Sequence, residues 1–384
     1  MNGFHGRFKK IYGQVAMRID DETYLTTGGN KLLSEIVEDD LIICDISDGD
    51  IAQIFRKRPD INAFIFGCSQ DTVEVSNELD VLPCSLEDIA QLAGPEIPIT
   101  LDAKPETLLA HLRDCKVCLV KGVGAVAVSS DVRGVVSNLH ILHKACEAYL
   151  HGKMLGGQKP LDAGVATWLK ETYKNNYLDT NEASHVEYIG HDEDEFAQRT
   201  DIIEYGKHLI KDDLAYGCAG DLSVRFGENE MLISPSSMDY FDIRIEDVVK
   251  IDIDSLEYGD QRVPSSDAEI HAAMYKALPG CNAIIHTHSN ACSVFAACEA
   301  GFAISDPNMQ ALIGDIKIVP YTPDAPDSTI ANLLSTLSTT HAAILPHHGT
   351  IFYGPSLELV YEIAKSVEML ARNILQYDAK PEEI

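Results

Sequence analysis

Two stretches of the chain repeat one another, and this limits the fold more than any other feature, because one backbone plan must serve both sequences. Ile36-Val37-Glu38-Asp39-Asp40-Leu41-Ile42-Ile43-Cys44 is echoed by Ile245-Glu246-Asp247-Val248-Val249-Lys250-Ile251. The amphipathic run Ile51-Ala52-Gln53-Ile54-Phe55-Arg56-Lys57-Arg58-Pro59 is echoed by Ile270-His271-Ala272-Ala273-Met274-Tyr275-Lys276-Ala277-Leu278-Pro279. Cys118-Leu119-Val120-Lys121-Gly122-Val123-Gly124 returns as Ile344-Leu345-Pro346-His347-His348-Gly349. In both halves strand-length apolar runs alternate with helical periodicity, and a long helical pattern follows the last strand. The halves read as two copies of one α/β unit, over 1–155 and 193–384. Between them, 156–192 is expected to be a partly helical connector, with Gly156-Gly157, Pro160 and an acidic run at its end. At 384 residues there is room for two full cores.

The later copy carries the chemistry. Its apolar strand Ala283-Ile284-Ile285 ends in His286-Thr287-His288, and side chains two apart on a strand share a face. The run Ala342-Ala343-Ile344-Leu345-Pro346-His347-His348 is a second apolar segment ending in histidine. A single histidine at a strand end is ordinarily a surface or core residue. Three neutral imidazoles from two strand ends, with one position left open, describe a catalytic zinc site. His347, next to His348 on a strand, would face the other way. In the earlier copy Phe66, Gly67 and Cys68 stand at the places of His286, Thr287 and His288, and Val123 at that of His348. That copy is expected to keep the architecture without these ligands. Metal binding by His185 and His191 in the connector is not expected.

Composition narrows the partners. With 60 acidic against 30 basic residues the formal charge is −30, a field that repels phosphate backbones and argues against nucleic acid and anionic membranes. Apolar runs are strand-length and broken by charge, so no membrane span is expected. The first residues show no apolar core region of a signal peptide. Ten cysteines are scattered without a framework, several inside apolar runs, as expected of small buried hydrophobes in a reducing cytoplasm. Cys115-Lys116-Val117-Cys118 has no partner pair to complete a zinc site.

Five motifs in order then point to a family. They are Gly220-Asp221-Leu222-Ser223, Ser234-Pro235-Ser236-Ser237, Pro264-Ser265-Ser266-Asp267 followed by His271, His286-Thr287-His288, and His348-Gly349. Residues 193 to 376 resemble the class II aldolase/adducin family, to which fuculose-phosphate aldolase and ribulose-phosphate 4-epimerase belong. The resemblance implies α/β architecture: two three-layer α/β/α units, each with a central, largely antiparallel sheet. It implies zinc or another divalent transition metal on His286, His288 and His348, and Asp267 as the acid/base carboxylate. It further implies that Asp221, Ser236, Ser237, Ser265 and Ser266 bind a sugar or sugar-phosphate substrate. The activity implied is carbon–carbon bond cleavage or formation through a metal-stabilised enediolate, with an epimerase, a decarboxylase or a non-catalytic adducin-like scaffold as alternatives. Family members form four-fold rings, so two chains of two units each are expected to make one ring. The region of Tyr321 and Asp324 is where a neighbouring subunit's residue would be sought.

Three departures from the family pattern bear on the substrate. Asp267 is one methylene shorter than the glutamate usual in the aldolases. Asp221 stands for an asparagine that donates to phosphate, and a carboxylate accepts where the amide donates. Ser237 stands for a glycine in a loop where backbone approaches ligand. The expectation is a substrate whose anionic group is small or absent, or a compensating cation such as Arg225.

Overall fold

A computed structural model describes residues 11–29, 31–176, 192–259, 262–320 and 326–376. The chain divides into two compact units, one of Met1–Leu150 with Pro160–Thr172, the other of His151–Lys159 with Tyr173–Ile384. His185, His191, Tyr321 and Asp324 lie outside the described residues.

The first unit holds β1 (Tyr12–Arg18), β2 (Thr23–Thr26), β3 (Lys31–Leu32), β4 (Ile42–Asp45), β5 (Ala63–Cys68), β6 (Val81–Pro83), β7 (Glu96–Thr100), β8 (Val117–Val120) and β9 (Gly124–Ser129). They pair in the order β4-β2-β1-β5-β9-β8-β7-β6, with β3 beside β1. The second unit holds β10 (Asp221–Phe226), β11 (Glu230–Ile233), β12 (Val249–Asp252), β13 (Ala283–Thr287), β14 (Lys317–Ile318), β15 (Ala342–Ile344) and β16 (Thr350–Gly354), in the order β12-β11-β10-β13-β16-β15-β14. Both sheets are antiparallel except for one parallel pair, β7 with β8 and β14 with β15. Seven strands and the place of the parallel pair therefore coincide in the two units, and β3 and β6 are additions of the first.

Helices cover the sheets because each strand presents alternating faces. In the second unit Met231, Ile233, Ile251, Ile284 and Ile351 pack with Met274, Tyr275, Leu333 and Leu337 from the helices Ala268–Ala277 and Pro326–Leu337. The helix Leu357–Ile374 lies along β13 and β16; Ser356 caps it by accepting from Leu359 N–H. Its inward stripe includes Val360, Ile363, Ala364, Val367 and Glu368. The buried Glu368 carboxylate accepts from the N–H groups of Ala291 (2.9 Å) and Cys292 (3.0 Å), closing the first turn of the helix Asn290–Ala297. An acceptor there satisfies orphan donors that a buried helix start otherwise leaves unpaired. In the first unit Ala16, Tyr24, Ile54, Phe55, Phe64, Val126 and Val128 pack with Leu108 and Leu112.

Two glycine contacts recur at corresponding places and explain why both copies keep glycine there. A Cβ on Gly13 would lie 2.0 Å from the Phe66 carbonyl oxygen, and one on Gly220 would lie 2.7 Å from that of His286. Likewise a Cβ on Gly124 would lie 2.5 Å from Gly67 O, and one on Gly349 would lie 2.3 Å from Thr287 O. Neighbouring backbones approach too closely for any side chain.

Among the described residues no helix is long and apolar enough to cross a membrane. Cys118 is buried in β8, and burial pushes its thiol far above the ordinary range, which suits an inert core residue.

Candidate metal centre

β13 runs between β10 and β16, so its residues are buried from Ala283 to Thr287. Ile284 joins the core under the helix Ala268–Ala277, and alternation puts His286 on that same face. His288 follows just beyond the strand end. The turn between β15 and β16 supplies His348, whose N–H donates to Leu345 O at 3.2 Å. One nitrogen from each of His286, His288 and His348 lies within 4.8 Å of the others. Their ring centroids are 4.7 to 5.0 Å apart.

His347 is not on a strand, contrary to the sequence-based expectation. It sits in the β15–β16 turn with left-handed backbone (φ +62°), and its Nε2 reaches Glu299 Oε1 at 3.2 Å. The turn conformation is what divides the two neighbouring histidines.

Carboxylates back the imidazoles. His286 Nδ1 and Asp267 Oδ2 are 2.7 Å apart, both buried. Asp267 stands at the N-cap of the helix Ala268–Ala277 but makes no side-chain cap bond; Ser265 Oγ accepts from Asp267 N–H at 3.2 Å in its place. Asp221, at the head of β10, takes the Ser265 hydroxyl at 2.8 Å and has an oxygen 3.0 Å from His271 Nε2. Behind it Ser223 Oγ meets His271 Nδ1 at 2.8 Å and the Tyr275 hydroxyl at 2.7 Å.

The charges of this cluster sustain one another. Burial alone would drive the proton off His286, yet the Asp221 and Asp267 carboxylates push its pKa up to about 10. Burial likewise favours a neutral Asp221, but His271 and His286 hold it well below the usual carboxylate range. Asp267 is lowered too: burial and Asp221 oppose its charge, and His286 and His348 prevail.

The donor set fits a divalent cation of the zinc type: three imidazoles converge, and a carboxylate lies beside them. His286 Nε2 is buried and makes no hydrogen bond. Its Nδ1 is held by Asp267, the carboxylate-to-imidazole contact that orients metal-binding histidines elsewhere.

The remaining site candidates spread outward. Ser266 is exposed, and Ser236 and Ser237 are half-buried with hydroxyl oxygens 3.2 Å apart. Their loop is joined to the cluster through Ser265 N–H, which donates to Ser234 O at 3.1 Å. Ser237 adopts φ +59°, a conformation that glycine takes without cost. Arg225 does not serve the anion: its guanidinium donates to the carbonyls of Tyr275 and of Glu228. The His271, Ser223 and Tyr275 relay escaped sequence reasoning. Its signal was there in two weak forms, Asp221 and Ser223 one pleat apart and His271 and Tyr275 one helical turn apart.

Gly349 lets the histidines lie close together. Its missing Cβ would sit 2.6 Å from His286 Nε2 as well as against Thr287 O. Gly349→Ala is expected to cost about 1–3 kcal/mol by overpacking and to weaken zinc binding on the order of tenfold or more. Thermal unfolding and a zinc titration check both.

The chain belongs to the class II aldolase and adducin N-terminal domain family, whose model matches residues 3–150 and again residues 200–375. It is 27% identical over 180 residues to 5-deoxy-D-ribulose 1-phosphate aldolase of Bacillus thuringiensis, spanning 46% of this chain and 83% of that protein. Over 178 residues it is 30% identical to L-fuculose phosphate aldolase of Haemophilus influenzae, spanning 44% of this chain and 78% of that one. A 3-oxo-tetronate 4-phosphate decarboxylase of the same organism is 28% identical over 42% of this chain and 80% of its own length. A solved L-fuculose 1-phosphate aldolase aligns over 48% of this chain and 89% of its own, with TM-score 0.44 and 27% identity.

Proposed function

We propose that the chain is a divalent-metal-dependent lyase of aldolase type, cleaving or forming a carbon–carbon bond in a hydroxy-ketone derived from a sugar. The observation that carries this reading is the convergence of His286, His288 and His348 beside the buried Asp267. A zinc-like cation held there would supply Lewis-acid polarisation of a carbonyl and stabilise negative charge developing on oxygen. Asp267 is the group that holds and returns the proton, and Asp221 with Ser265 orients substrate hydroxyls. Ser236, Ser237 and Ser266 border the same end of the sheet and complete the substrate pocket. The buried, ionised Asp221, bonded to the Ser265 hydroxyl, supports a substrate without a phosphate. The first unit, with Phe66, Cys68 and Val123 at the ligand places, acts as scaffold and neighbour, and two chains build one ring; a stable monomer by light scattering excludes that assembly.

The test is a screen of aldol donors and acceptors with zinc, manganese or cobalt. Expected is metal-dependent turnover that falls about 10²–10⁴-fold in Asp267→Asn. Released carbon dioxide would instead assign a decarboxylase. Metal-loaded protein inert towards every pair removes the lyase reading.

A further inference from the structure

The first unit lacks the three histidines, yet it gathers another set of ligand groups at a different place. One nitrogen of His143, one oxygen of Asp71 and one of Glu147 lie within 4.8 Å of one another. His143 and Glu147 are one helical turn apart on the helix Val132–Gly152 and so share a face. Asp71 lies in the first turn of the helix Gln70–Glu78. His143 is 8% exposed and Glu147 9%, while Asp71 is half-buried and leaves a way in from solvent.

Comparison of the two units sharpens the point. Ser129 and Gly354 pair with Ala63 and Ala283, and counting equally far onward brings His143 to the place of Glu368. By the same register Asp71 stands at the place of Ala291. In the second unit Glu368 closes the start of the neighbouring helix by accepting two N–H groups. In the first unit the Ser69 hydroxyl takes one of the two corresponding groups, accepting from Thr72 N–H at 3.2 Å. His143 is thus released from capping, and its buried Nε2 makes no hydrogen bond. A buried imidazole with an unbonded ring nitrogen, within 4.8 Å of two carboxylates through one of its nitrogens, offers the donor groups of a cation site.

We propose that Asp71, His143 and Glu147 form a second divalent-cation site, separate from the three-histidine centre. One nitrogen and two oxygen donors suit manganese or zinc, and three protein ligands leave positions for water. The site concerns structure or regulation of the first unit, since none of its residues belongs to the catalytic reading above.

The experiment uses the full chain carrying His288→Ala, stripped with chelator, to weaken the three-histidine centre; an ion held by Asp221, Asp267 and His286 is told apart because the Asp71 change leaves it bound. Manganese chloride is added and free Mn²⁺ is counted by electron paramagnetic resonance. About one equivalent is expected to bind, and adding Asp71→Asn is expected to remove it or weaken it on the order of tenfold or more. Asp71 is half-buried, so this near-isosteric change spares the fold; Glu147→Gln serves as second variant if thermal unfolding shows otherwise. Absence of Mn²⁺ binding in His288→Ala, or binding that neither variant alters, overturns the proposal. In that outcome His143 is simply a buried neutral imidazole beside the two carboxylates, its pKa pushed down by burial.

Discussion

Replacing His288 by alanine is expected to abolish turnover in the metal-dependent assay, by on the order of 10³-fold or more, about 4 kcal/mol of transition-state stabilisation. His288 sits just past the end of β13, 8% exposed, with its ring centroid 4.9 Å from that of His286 and 5.0 Å from that of His348. Two imidazoles and the neighbouring Asp267 remain after the change, and without the third imidazole zinc is expected to be held far more weakly. The fold should persist, because the strand core of Ile284 and Ile285 is untouched. Calorimetric zinc titration alongside circular dichroism separates the two effects. Retention of both metal and turnover by a folded His288→Ala protein would falsify the three-histidine centre.

The second large effect concerns the substrate. Asp221→Asn is expected to shift the ratio of kcat/KM for phosphorylated over free hydroxy-ketones upward by on the order of 100-fold, about 2.7 kcal/mol. In the wild type a buried carboxylate, held ionised by His271 and His286, accepts from the Ser265 hydroxyl, and Arg225 is tied to backbone carbonyls and so brings no positive charge to a substrate anion. A phosphate dianion placed there meets like charge. The asparagine amide keeps an acceptor for the Ser265 hydroxyl and gains donors for an anion. His271 loses its charged partner at 3.0 Å, so a stability loss of about 1–3 kcal/mol accompanies the change. Matched pairs of substrates assayed on both proteins decide the matter. Wild-type preference for the phosphorylated member would sink the argument.

Much of the architecture was legible because repetition is a strong signal. Strand-length runs recurring in one order across 384 residues leave few folds, and both sheets share the order of seven strands and the parallel pair. That His286 and His288 come together was legible because side chains two apart on an extended segment share a face. What stayed hidden depends on contacts across the chain. Asp221 meets His271 only once β10 and the helix Ala268–Ala277 are laid together; both stand in family motifs, but nothing local to either names the other as its partner. The start of the helix Glu193–Lys211 is set by Asp192, whose carboxylate accepts from the N–H groups of Asp194 and Glu195. His347 shows the opposite failing: a strand pattern was extended one turn too far, where a left-handed residue had already reversed the chain.

The paired glycine contacts make the earlier copy a chassis awaiting transplantation. Gly13 and Gly124 still press their neighbours as Gly220 and Gly349 do, so the spacing that sets the three rings has outlived the rings themselves. Engineering Phe66, Cys68 and Val123 to histidine would therefore begin from a backbone already shaped for the graft, with the side chains the only parts to be restored.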